Sequence, residues 1–71
     1  MNSANVGTSK RLQRLLRALE DGREYSTLAL SRLAHLMAVS ASVAELRDNG
    51  YDIHCERRGQ LWYYRLTTAR A

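Results

Sequence analysis

The residues whose types and spacing carry chemistry in this chain are guanidinium and hydroxyl groups, and none is paired as a nucleophile with a base. Residues 39–53 read VSASVAELRDNGYDI, which puts Ser40, Ala41, Ser42 and Arg47 on one helical stretch, while Arg57 and Arg58 stand together beside Gly59 and Lys10 and Arg14 open a cationic run nearer the start. Side chains of these kinds bond phosphate oxygens and base edges, and small residues let a backbone come close. The chemistry is therefore recognition of a polyanion. His35 and His54 have no second ligand or nucleophile at a useful spacing, and Cys55, the one cysteine, allows neither an internal disulfide nor zinc-ligand spacing. With no phosphate loop and no carboxylate pair, the sequence predicts no enzyme, no metal and no cofactor.

The same stretch is poor in cations. It holds one arginine against Glu45, Asp48 and Asp52, whereas base readout is dominated by Arg, Lys, Asn and Gln. Glu45 and Asp48 oppose a polyanion unless they turn away or pair with Arg47, Arg32 or a hairpin arginine. Residues 1–35 carry six cations against three acids, and residues 36–71 five against four, so most of the net charge of +4 lies on the first helix. Charge there adds salt-dependent, non-specific affinity. Arg57 and Arg58, at an exposed turn, are better shaped to touch a backbone or enter a minor groove.

These side chains need elements to hold them. Residues 1–8, MNSANVGT, have no period and read as a flexible arm, and residues 68–71 as a tail, with a domain at 9–67 between them. Leu12, Leu15, Leu16 and Leu19 share one helical face, with Ser9 as cap and Gly22 as stop. From Ser26 to Leu36 the pattern repeats, with Ser26 or Thr27 as cap and Leu30, Leu33, Ala34 and Met37 facing inward. Val39, Val43 and Leu46 then mark a third helix that Asn49-Gly50 ends. After Gly50 the period becomes 2. Tyr51, Ile53 and Cys55 share one strand face, and Trp62, Tyr64 and Leu66 share another, with a turn at residues 57–60 between them. Trp62 and Tyr64 are expected in the core beneath the third helix, and Tyr63 outside beside Arg65 or His54.

Seventy-one residues make one small domain, which buries only about 60% of the surface that its unfolded chain exposes. That disfavours an enzyme built around a pocket. An apolar share of 45% with 25% charged residues excludes wholesale disorder. The longest apolar run falls far short of the ~20 residues of a membrane span. With no export signal evident and a single cysteine, the expected setting is reducing and cytoplasmic.

Two helices joined by a short turn cannot bury their apolar faces alone, but a preceding helix and a following hairpin can close a core around them. The expected fold is α+β: a winged helix-turn-helix of three helices followed by a two-stranded hairpin wing. Ala34 supplies a small residue where the second and third helices cross, and Ala38 stands where such turns often carry glycine.

The stretch VSASVAELRDNGYDI resembles the motif R-L-S-A-R-I-x-E-L-R-x-x-G-Y-x-I of a small winged helix-turn-helix family found mostly in phages and prophages. The likeness runs through Val39, Ser40, Ala41, Val43, Glu45, Leu46, Arg47, Gly50, Tyr51 and Ile53, and Tyr64-Arg65-Leu66 is similar to the family's final strand. It covers roughly residues 10 to 66. The resemblance implies a small DNA-binding or transcription-regulating protein without catalysis. Family arginines before and inside the third helix are replaced here by Ala38 and Ser42. Two partners follow as expectations: double-stranded DNA, bound by a monomer or a homodimer, or a host protein, with the scaffold serving as a phage-encoded inhibitor of a host defence complex. The DNA reading assigns contacts to Ser40, Ala41, Ser42, Arg47, Arg57, Arg58, Lys10 and Arg14.

Overall fold

The computed structural model describes residues 5–68. These residues form, in chain order, α1 (Lys10–Leu19), β1 (Tyr25–Ser26), α2 (Thr27–Ala34), α3 (Val39–Asp48), β2 (Asp52–Arg58) and β3 (Leu61–Thr68). Of the expected arm, residues 1–4 lie outside the described residues. Residues 5–8 make a turn in which Asn5 O accepts from Ser9 N at 2.8 Å, and Val6 N donates to Asn49 Oδ1 at 3.0 Å. Of the expected tail, residues 69–71 also lie outside the described residues.

Local sequence explains the helix ends. The Ser9 hydroxyl accepts from Leu12 N at 3.2 Å and caps α1, and Ser26 caps α2 by accepting from Ala29 N at 3.1 Å. At the end of α3, Gly50 takes φ 96°, Gly50 N donates to Arg47 O at 3.0 Å and Tyr51 N to Leu46 O at 3.2 Å. That is a Schellman closure, and it needs a residue at ease with positive φ. α2 ends the same way, with Leu36 N on Ser31 O at 3.0 Å, but the left-handed residue is His35 at φ 54°. The left-handed turn residue is thus His35, not the Ala38 position where glycine was expected.

This reversal corrects the second helix. Met37 was expected on the inner face with Leu33, yet Met37 is fully exposed and Leu33 is 58% exposed. Breaking the helical phase at His35 turns Leu36 inward in place of Met37, so Leu36 joins Leu30 and Ala34 in the core. The rest of the core comes from Leu12, Leu15 and Leu19 of α1, Val39, Val43 and Leu46 of α3, and Ile53 and Tyr64 of the hairpin. Between α2 and α3 the chain bends by 80°, close to the crossing of a helix-turn-helix.

The wing is a three-stranded antiparallel sheet in the order β1-β3-β2, not a two-stranded hairpin. Tyr25 and Ser26 pair with Tyr64 and Tyr63, which makes β3 the central strand. Two residues leave no alternation to read, and Ser26 also caps α2, so this strand has no signature of its own. β2 and β3 run from Asp52 opposite Thr68 to Arg58 opposite Leu61 around a two-residue turn, where Gly59 takes φ 63°. Ile53 and Tyr64 are buried as the alternation requires, but Trp62, on the same face, is 43% exposed. The core ends before it reaches the tip of the wing.

Candidate nucleic-acid interface

α3 presents Ser40, Ala41, Ala44, Arg47 and Asp48 to solvent, while Glu45 is half-buried. Ser42 was expected as a DNA contact and is 1% exposed. Its hydroxyl donates to Ala38 O at 3.0 Å and accepts from Arg11 Nη1 at 2.7 Å. Buried polar groups find internal partners, and this one is fully occupied within the fold, so Ser42 is removed from the contact surface. Nη2 of the same Arg11 lies 2.6 Å from Glu45 Oε2. Glu45 therefore pairs with α1, and not with Arg47, Arg32 or a hairpin arginine as expected. One carboxylate of α3 is thus neutralised from behind.

The start of α3 has Ala38 as its cap residue, with no side-chain hydrogen bond to the first amides. Amides at such an end, together with the helix dipole, favour an anionic neighbour. Near the other end, Arg47 Nη2 donates to Ile53 O at 2.6 Å, which fixes its guanidinium beside β2.

Strand alternation separates the two adjacent wing arginines. Arg57 lies directly opposite Trp62, and Cys55 opposite Tyr64, so Arg57, Trp62 and Cys55 share the face turned to α3. Arg57 Nε donates to Gly59 O at 2.9 Å across the turn. Arg58 belongs to the opposite face. It donates to both carboxylate oxygens of Glu24 at 2.6 and 2.8 Å and to Glu56 at 2.8 Å, and its guanidinium lies 4.8 Å from the centre of the Tyr63 ring. Hydrogen bonds to Glu56 and Glu24 raise the Arg58 pKa, and Arg58 in turn holds the Glu56 carboxyl below its ordinary value. Arg58 is a clamp between the wing and the β1 approach. Arg58 was expected to meet a ligand alongside Arg57; it instead lies on the opposite strand face from Arg57, with two carboxylates beside it.

Between α3 and the sheet lies a groove of about 550 Å³. Ser40, Arg47, Val39 and Val43 of α3 line it, with Met37 from the preceding turn, Thr27 of α2, and Cys55, Trp62 and Tyr64 of the sheet. Lys10 and Arg14 stand on α1, outside this lining. Arg14 Nε donates to Ala34 O at 2.8 Å and so caps the end of α2. Of the eight expected contact residues, Ser40 and Arg47 line the groove, Ala41 is exposed on α3 and Arg57 stands opposite Trp62, while Ser42 is buried, Arg58 pairs with Glu24 and Glu56, and Lys10 and Arg14 stand on α1. Met37 and Trp62 were missed as groove residues because each follows a core periodicity, which the left-handed turn at His35 interrupts before Met37 and which at Trp62 runs past the end of the core.

The family model for a winged helix-turn-helix domain matches residues 11–62. The chain belongs to the winged helix-turn-helix family. Comparison with curated proteins and with solved structures finds no match. Membership in this winged helix-turn-helix family points to DNA as the partner. Among the described residues no group of three His, Cys, Asp or Glu side chains is placed to hold a metal ion. Among them, too, no single helix of this winged helix-turn-helix domain is long and apolar enough to cross a membrane.

Proposed function

We propose that the domain binds double-stranded DNA, with α3 in the major groove and the wing on the flanking backbone or minor groove, and that it acts there as a transcription regulator. The observation that carries this reading is the Arg11–Glu45 pair at 2.6 Å. It withdraws the acid from the middle of α3 and leaves Ser40, Ala41 and Ala44 beside Arg47 on the exposed face, with Asp48 confined to the last turn. Small residues let the helix sit deep, and one arginine is suited to a bidentate contact with guanine. Arg57 adds a backbone or minor-groove cation on the same side. The resemblance of residues 39–53 to the motif of a phage and prophage winged helix-turn-helix family supports a regulator of that setting.

Titration of the purified protein with random and genomic-fragment duplexes at two salt concentrations tests the proposal. Selective binding should weaken as salt rises, with log K falling by about 0.9 per decade of salt for each phosphate neutralised. Absence of selective binding at the lower salt overturns it.

A further inference from the structure

Trp62 is the chain's one tryptophan and follows the wing tip by a single residue, directly opposite Arg57. Its strand face turns Tyr64 into the core, yet Trp62 itself stays 43% exposed. Met37 borders the same groove from the α2–α3 turn and is fully exposed. A single exposed apolar side chain needs no explanation. Two large ones lining one groove, with Arg47 also in its lining and Arg57 opposite Trp62, form an exposed apolar surface with a cation at each of two points beside it. An apolar side chain beside cations fits duplex DNA at an opened base step, where phosphates flank an accessible base face.

Resting on the DNA reading above, we propose that Trp62 is an apolar wedge that presses into a deformable pyrimidine–purine step of the duplex and partly unstacks it, with Met37 packing on the opposite side of the groove. Apolar side chains inserted between base steps kink DNA, and TA and CA steps yield most easily. Trp62 thus selects sequence through the deformability of a step and not through hydrogen bonds to base edges.

The test uses the full chain and two dye-labelled duplexes, one with central TA and CA steps and one an uninterrupted A-tract. Anisotropy reports binding and the intrinsic emission of Trp62 reports its contact. Wild type should bind the flexible duplex more tightly, with quenched tryptophan emission. Trp62→Ala should bind it about tenfold more weakly, the size expected of a lost stacking contact, and lose the preference between duplexes. Trp62→Leu keeps apolar bulk, guards against a folding defect, and should recover only part of the affinity. Binding by anisotropy with unchanged emission, or with both variants equal to wild type, overturns the wedge and leaves DNA binding standing. No binding of either duplex by wild type overturns both.

Discussion

Arg11 of α1 and Glu45 of α3 meet at 2.6 Å, and the other terminal nitrogen of the same guanidinium holds the Ser42 hydroxyl at 2.7 Å. One side chain therefore fixes the packing of α3 on α1 and sets the charge of the outer face of α3. Arg11→Ala leaves Ser42 and Glu45 without this partner in a partly dry site, which costs about 1–3 kcal/mol. The expected outcome is a lower thermal midpoint together with weaker duplex binding. Adding Glu45→Gln should recover binding more than stability, and a double-mutant cycle measures the coupling.

Arg57 and Arg58 are neighbours in sequence but face opposite sides of the wing. Arg57→Ala should lower the salt slope of duplex binding by about one. Arg58→Ala should leave that slope unchanged and instead speed amide exchange along β2, because the link from the wing to Glu24 is gone. Equal slope changes in the two variants would contradict the division of roles.

His35 holds φ 54° at the end of α2, where a residue with a Cβ is strained. His35→Gly removes that strain while keeping the Leu36–Ser31 hydrogen bond, and should stabilise the domain by about 1 kcal/mol. Chemical denaturation at constant pH checks it. A loss of stability would show that the histidine ring contributes more than the backbone costs.

The wing clamp has a pH signature. Hydrogen bonding to Arg58, with its charge and a smaller contribution from His54, holds the Glu56 carboxyl below its ordinary value of 4.5. A carboxyl with a depressed folded pKa contributes its stabilisation above the unfolded value and loses it as pH falls through the folded one. The clamp should thus be intact near neutrality and weaken only below about pH 4.5. A carbon-detected NMR titration of Glu56 should give a midpoint under 4.5 in wild type, and Arg58→Ala should move it up toward that value.

Three helices and a hairpin are legible in the chain because each is encoded locally. The leucine face of α1, the Ser9 and Ser26 caps, the Val39, Val43 and Leu46 stripe and the Gly50 stop all act within a turn or two of backbone. The tertiary structure alone decided which polar groups face outward. Ser42 is claimed by an arginine 31 residues earlier in the chain, and Arg58 by Glu24, 34 residues away. β1 exists as a strand only because β3 is there to pair with it. Met37 and Trp62 follow the core pattern in sequence and leave the core in space, one past the left-handed turn at His35 and the other beyond the end of the packed layer. Periodicity fixes which face of an element is apolar. Only the crossing of the elements fixes how far along that face the core extends and which charges meet, because both depend on contacts between residues distant in the chain.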